Sequence, residues 1–534
     1  MKFLTTIIIL VTVILSDVSP LKILVHSPAF AGSHTNFMAR IADSLTEAGH
    51  NVTFLVPVVD EAKRDQLGVK LTKDVVVIEQ DEEMKSQVFP LDTMMKKFWT
   101  QEVDSSNAPN NVITFHYLSV LSCANMFRNK KILDQLRDAN YDVGITEPLQ
   151  VNGLALFRYL GIEKTIISSS CVNYDVLIPA TGEPEETSYL PAMSTHGTDQ
   201  MNFAERLENY RAFYVQEASY SAMFDDETAA YRKYIGADFP DWRELIRDAS
   251  LHLVNSIPFI DFPRPAIQKT IPIGGISVDM DKIRLEKVTP ELDEILDRRE
   301  HNMFISFGSI AKSTEMPENF RENLLNVIKS EPNVTFIWKY ESDDTGFAKG
   351  IDNLVFLKWA PQTTLLNDKR LTAFLGHGGL GSTNEAAYMG KPSIMVPIFA
   401  DQSRNANMVA RHGMSIMLPK RFLGNFQKVQ SAFRSVLYDA KYRVNAGRVA
   451  EMLHNQPSKP KEIAVKYIEF VGKYGPLHHM TPYSLMMPWY QRNNYDIYAY
   501  NAASYLAVFL FLYLVFRAVA YFLQNHVAIV KKTV

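Results

Sequence analysis

A chain of 534 residues, 47% hydrophobic and 21% charged, is long enough for two large domains with additional segments. Its 59 acidic and 55 basic residues leave a net charge of −4, and with no basic surplus nucleic acid is excluded as a class of partner. Two cysteines, Cys123 and Cys171, exclude a disulfide scaffold and a cysteine zinc site, and their pairing stays open.

Residues 1–19 carry Lys2, the apolar run Phe3–Leu15 and then Ser16 and Ser19. This reads as a secretory signal peptide, too short for a spanning helix. Leu21–His26 is a buried-type strand. A loop, Ser27–Thr35, follows and carries Gly32-Ser33-His34. In Asn36–Ala48, Phe37, Ile41 and Leu45 recur every four residues, which predicts a helix ending at Gly49. Asn51–Pro57 is the next strand. Strand, helix, strand opens a doubly wound domain and puts His34 past a carboxyl strand end, where such folds bind ligands. Tyr141–Thr146 is a further strand with Glu147 at its carboxyl end. In a parallel sheet, His34 and Glu147 share one edge. A histidine held by a carboxylate is a general base for a hydroxyl proton.

The intervening segments Glu61–Asn129 and Val172–Asp238 read as irregular. Phe98-Trp99, Phe115-His116-Tyr117 and Tyr210–Tyr220 are candidates to line a greasy pocket, although ordinary packing accounts for any one of them. Pro258–Pro265 and Ile273-Gly274-Gly275-Ile276 form a turn-rich connector. The sequence therefore divides into a first domain, 20–265, a linker, 266–290, and a second domain, 291–460. Asp279-Met280-Asp281 resembles a metal-holding triplet but sits in the linker with no strand before it, which favours a solvated turn.

In the second domain, His301–Gly308 is a strand feeding the turn Gly308-Ser309. Val334–Lys339, Asn353–Lys358, Leu371–Gly376 and Ser393–Phe399 are further strands. The run from Trp359 to Gln402 concentrates the chemistry. Trp359 offers a flat face for a base. Leu371–Gly376 ends on His377-Gly378-Gly379, then Gly381-Ser382, and Ser382-Thr383-Asn384-Glu385 opens a helix. Strand, glycine turn and helix N-terminus suit a phosphate. Ser382-x-x-Glu385 also fits a capping box. Asp401-Gln402 suit sugar hydroxyls.

This run, from Trp359-Ala-Pro-Gln362 through His377-Gly-Gly379 to Asp401-Gln402, resembles the signature of the UDP-glycosyltransferases. The resemblance implies an α/β fold of GT-B architecture: two Rossmann-like domains and one C-terminal transmembrane helix. It implies that Trp359 stacks on uracil and Gln362 meets the uracil or ribose. His377 and Ser382 would hold the diphosphate, Glu385 the ribose diol, and Asp401 and Gln402 the transferred sugar; Gly379, and the N–H groups of the turn Gly308-Ser309, are further donor-binding candidates. His34 matches the family's Gly-Ser-His motif, and Glu147 stands where vertebrate members usually carry Asp. Gly381 departs from the Asn common before the serine. The expected reaction is metal-independent, inverting transfer from a UDP-sugar, a co-substrate rather than a cofactor, to a small lipophilic hydroxyl compound. Glucuronate is the sugar the resemblance favours. Glucose, or a non-catalytic lipophile carrier, is the alternative, and a metal-dependent transferase using Asp279 and Asp281 is a further rival.

Ile463–Gly472 looks helical and suited to return to the first domain. Ala502–Phe516 is uncharged, Arg517 interrupts, and the apolar run resumes to Leu523, long enough to cross about 30 Å of hydrocarbon. Lys531 and Lys532 look like a dilysine retrieval signal. The expectation is a single-pass protein of the endoplasmic reticulum membrane with lumenal domains, a cytoplasmic tail and a detoxifying role. Homo-oligomerisation stays open, as does use of the sequons at Asn51 and Asn333.

Overall fold

Apolar runs such as Lys22–His26 (KILVH) and His301–Ser306 (HNMFIS) are buried on both faces, which is the signature of parallel strands covered by helices on each side. The computed structural model describes residues 19–30, 32–87 and 96–533. The expected signal segment, 1–19, lies outside them except for Ser19. The chain divides into two units, 1–480 and 481–534.

The first unit holds two parallel sheets. Among the described residues the first sheet has seven strands: β1 (Lys22–His26), β2 (Asn51–Pro57), β3 (Asp74–Ile78), β4 (Val143–Thr146), β5 (Thr165–Ser169), β6 (Leu251–Val254) and β7 (Thr270–Pro272). Their order is β3-β2-β1-β4-β5-β6-β7. The second sheet has six: β8 (His301–Ser306), β9 (Val334–Lys339), β10 (Leu354–Leu357), β11 (Leu371–Gly376), β12 (Ser393–Met395) and β13 (Ser415–Met417). Their order is β10-β9-β8-β11-β12-β13. Each order reverses once, between β1 and β4 and between β8 and β11. At such a switch point the flanking crossovers diverge to opposite faces and leave a crevice at the carboxyl ends.

Several expectations are corrected. The linker expected over 266–290 contains β7, whose Ile271 pairs with Leu253 of β6, so the first sheet continues past 265. Three residues ending on Pro272 carry too little pattern to read as a strand. The strand expected over Ser393–Phe399 stops at Met395, because Pro397 cannot donate to a ladder. The segments expected to be irregular contain two long helices, α2 (Ala108–Arg128) and α3 (Phe203–Ile235), following α1 (Gly32–Glu47). The buried positions of α3 include Asn209, Gln216, Glu227 and Thr228, so the hydrophobic period of its sequence is broken. Its start carries a signal that the reading of this segment as irregular missed. Glu205 N donates to Asn202 Oδ1 at 3.1 Å and Asn202 N to Glu205 Oε2 at 2.8 Å, a capping box.

Phe98 and Trp99 do not line a pocket. They are inserted into the second domain's core, Trp99 edge-on to Phe307 at 5.0 Å and Phe98 stacked on Phe399 at 4.9 Å. The buried Lys420 ammonium fixes this strap by donating to the carbonyls of Phe98 (2.5 Å) and Ile398 (2.6 Å). A Trp99→Ala variant is expected to lose about 3–5 kcal/mol of stability, checked by thermal or denaturant unfolding.

Helix α6 (Pro460–Tyr474), which follows α4 (Leu380–Tyr388) and α5 (Gln402–Ala410), returns to the first domain. There Ala464, Ile468 and Val471 share a core with Ile23, Val25 and Ile41. The second unit contains α7 (Tyr495–Thr533). Its stretch Tyr495–Asn525 is long and apolar enough to cross a bilayer. Trp489, Tyr490, Tyr495 and Tyr498 lie exposed near its start, the residue types that settle at a membrane interface.

Candidate active site

β1 and β4 run level, with His26 opposite Thr146, so the chain leaves both strands at one edge. Glu147 follows directly. His34 lies in the first turn of α1 rather than in the expected loop, because the helix begins at Gly32. The two side chains meet, His34 Nδ1 to Glu147 Oε1, at 2.8 Å. Glutamate at this position thus reaches the imidazole directly. Burial opposes a charge on His34, but Glu147, bonded to it, and Asp401 nearby outweigh that and raise its pKa above 6.5. Burial likewise opposes ionisation of Glu147, yet His34, Ser170 and Tyr174 hold its carboxyl below the usual range.

A base must be neutral to accept a proton. With His34 in that role, the acid limb of kcat/KM is expected above the ordinary histidine value of 6.5, with activity lost as pH falls through it. Glu147→Gln removes the main raising charge and is expected to move that limb to lower pH, checked by pH–rate profiles of both proteins.

The second sheet contributes two turns at its own switch point. Gly308 (φ +86°) follows β8 and Gly378 (φ +83°) follows β11. Both are left-handed conformations suited to glycine. A Cβ on Gly308 would lie 2.6 Å from His377 Cε1, and one on Gly379 would lie 2.5 Å from His377 Nε2. The imidazole is thus clasped by two backbones. Burial, with Lys339 nearby, lowers the His377 pKa to about 4, so it offers a neutral N–H rather than a charge. Ser309 faces the first domain, since a Cβ on Gly32 would lie 3.9 Å from its Oγ.

Gln362, Ser382 and Glu385 converge. Gln362 Nε2 donates to Ser382 Oγ at 2.9 Å and to Glu385 Oε2 at 2.6 Å. The capping-box reading fails, because α4 starts at Leu380 and its cap, Gly379, has no side-chain bond. Burial pushes the Glu385 pKa up to about 7. Trp359 stands 74% exposed, its face open. A Cβ on Gly381 would meet nothing within 4 Å, so packing does not require glycine there.

Asp401 sits at the cap of α5, after Ala400 in a left-handed conformation (φ +55°). Such strain in a non-glycine residue persists only where its surroundings hold it. Gln402 does part of that holding. Its Oε1 accepts from the N–H groups of Ile398 (2.8 Å) and Phe399 (3.1 Å), leaving only its NH₂ for a sugar. Asn405, unrecognised in the sequence, donates to Gly378 O (3.1 Å) and Asp401 Oδ2 (2.9 Å), linking the turn after β11 to the start of α5. Ser170 and Tyr174, also unrecognised, both bond Glu147. Loop polar residues without period give no signal, though Ser170 could have been found from its place just past β5. Asp279 and Asp281 lie apart from all of this. Asp279 caps a short helix and pairs with Lys282 at 3.2 Å, and Asp281 lies 3.7 Å from Lys459.

Two Rossmann-like domains, with the His34–Glu147 pair at one switch point and a glycine turn running into a helix at the other, form a GT-B architecture. The model of the family described as UDP-glucoronosyl and UDP-glucosyl transferase matches residues 22–533, and the chain belongs to that family. It is a UDP-sugar-dependent glycosyltransferase. It is 25% identical to UDP-glucuronosyltransferase 1A7 of Mus musculus over 495 residues, covering 92% of this chain and 90% of the relative. It is also 25% identical to UDP-glucosyltransferase 2 of Dactylopius coccus over 517 residues, 95% of each chain. The fold matches that of Phytolacca americana UGT2, solved with UDP-2fluoro-glucose and pterostilbene. That match has a TM-score of 0.56 and 17% identity, and covers 85% of this chain and all of the other.

Proposed function

We propose that the protein transfers a hexosyl group from a UDP-sugar to a hydroxyl of a small lipophilic acceptor, with inversion and without a metal ion. The observation carrying this reading is the 2.8 Å contact of His34 Nδ1 with Glu147 Oε1. It leaves Nε2 as the atom that takes the acceptor proton. The acceptor oxygen then attacks the anomeric carbon from the face opposite UDP. His377, Ser382 and the first N–H groups of α4 would meet the diphosphate and stabilise the departing charge. Trp359 would carry the uracil, Gln362 the base or ribose, and Glu385 the ribose diol. Metal independence is supported by the carboxylates of Asp279 and Asp281, each already paired with a lysine.

Glucuronate is the sugar the resemblance favours, while the family's description names glucuronosyl and glucosyl transfer alike. A specific observation supports glucose instead. Asp401, close enough to His34 to influence its charge, accepts from the neutral Asn405 amide. A second carboxylate on the sugar would be repelled there, whereas a hydroxyl would donate. We further propose a single-pass protein of the endoplasmic reticulum membrane, its domains lumenal, acting in detoxification. In it Asn51 and Asn333, both exposed, would be the glycan acceptors.

The test is product analysis by NMR with UDP-glucose and UDP-glucuronate, each offered with a panel of phenols. A β-linked product from one α-linked donor, formed equally in chelator, is expected. An α-linked product overturns inversion, and loss of activity in chelator restored by a divalent cation overturns metal independence. UDP binding without any product favours the carrier reading.

A further inference from the structure

Glu147 Oε1 is the meeting point of four donors. His34 Nδ1 lies at 2.8 Å, Tyr174 OH at 3.0 Å and Ser170 N at 3.3 Å, and the Ser170 hydroxyl makes a short contact. The Ser170 Oγ also lies 2.7 Å from His34 Nδ1. A serine hydroxyl has one proton to give, and an ionised carboxylate can only accept. Ser170 therefore donates to Glu147, and its oxygen accepts from His34 Nδ1–H. The Nδ1 proton is shared between the two oxygens. The imidazole tautomer is locked and Nε2 is left bare. Ser170 follows β5, the strand beside β4, so this set is assembled by neighbouring strand ends.

The surroundings are buried and otherwise neutral. Glu147 and Tyr174 are almost wholly inaccessible, and the Tyr174 ring packs against Tyr220. The ionisable groups facing the set are Asp401, Cys171, Tyr174 and Tyr220. Burial pushes the Cys171 thiol and both phenols up, so each stays uncharged. The charges acting on His34 are then those of Glu147 and Asp401. Each O–H aimed at Oε1 brings a positive dipole end to the carboxylate and weakens its pull on a protonated imidazole.

We propose that Ser170 and Tyr174 are positioning residues of the transfer reaction, which hold Glu147 against His34 and limit how tightly it retains the protonated ring. This rests on His34 being the base. Together the two hydroxyls make the proton-accepting unit one of four side chains. They keep the imidazole free to release its proton after each turnover.

The test uses full-length protein in membranes and the variants Tyr174→Phe, Ser170→Ala and Ser170→Thr. Two readouts are taken across pH: kcat/KM, and acylation of His34 by diethyl pyrocarbonate followed by mass spectrometry, which needs no turnover. In Tyr174→Phe the acylation midpoint and the acid limb are expected to move together to higher pH. At neutral pH kcat/KM should fall roughly tenfold, the loss of one hydrogen bond to a charged group. Ser170→Ala should fall by a similar factor, and Ser170→Thr, which keeps the hydroxyl, should recover most of it. UDP affinity should be unchanged throughout, showing that the variants fold. A rate loss in Tyr174→Phe with an unmoved midpoint, or no recovery in Ser170→Thr, overturns the proposal. If the wild type turns over no acceptor, the proposed function fails while the acylation midpoints still decide this inference.

Discussion

Replacing His34 by alanine is expected to lower kcat/KM for an alcohol acceptor by about 10²–10⁴-fold. The expectation follows from geometry. His34 Nδ1 is occupied by Glu147 and Ser170, so the ring cannot turn without giving up two hydrogen bonds, and only Nε2 is available to the acceptor. An alcohol is a poor nucleophile until its proton is taken. A phenol is already acidic and should lose less, so the ratio of the two losses reports proton transfer rather than binding. Steady-state kinetics with a matched alcohol and phenol check this. Equal losses for both acceptors would assign His34 to binding.

Replacing Glu385 by alanine is expected to weaken UDP binding on the order of 100-fold, the loss of two hydrogen bonds to a carboxylate. Glu385 is held by Gln362 at 2.6 Å and lies one turn from Ser382, so its carboxylate would accept from the diol of a ribose seated beside Trp359. A 2′,3′-dideoxy analogue of UDP should bind the variant and the wild type almost alike, because it brings no diol to lose. Since the carboxyl ionises near pH 7, wild-type affinity for UDP should fall as pH drops through 7, and that dependence should vanish in Glu385→Ala. Calorimetry at several pH values measures both effects.

The parts of the site that the sequence displayed are those whose residues are contiguous or bound to strand ends. Trp359 to Gln402 is one run spanning a strand, a turn and a helix start, so its convergence needed no long-range pairing. His34 and Glu147 are 113 residues apart. They were legible as a pair because each sits just past the carboxyl end of a parallel strand, and β1 and β4 prove to be neighbours in register. What stayed hidden depends on tertiary contact. Ser170, Tyr174 and Asn405 are single polar side chains whose meaning exists only once their partners arrive. Gln402 looked like a sugar ligand on both its atoms, yet its oxygen holds the loop that carries Asp401. Phe98 and Trp99 read as candidates to line a pocket, because nothing local states that one domain's segment will complete the other's core. The helix α3 was masked by the buried polar residues Asn209, Gln216 and Glu227.

The central claim is that proton removal from the acceptor by the His34–Glu147 pair drives transfer of the hexose from UDP. It is tested most directly by UDP release from membranes bearing this chain, given UDP-glucose or UDP-glucuronate and a small phenol or alcohol, beside membranes bearing His34→Ala. Release that requires both donor and acceptor, and that collapses for the alcohol in His34→Ala while UDP still binds, is the predicted result. Release unchanged in His34→Ala, or the absence of release with either donor despite UDP binding, would contradict it.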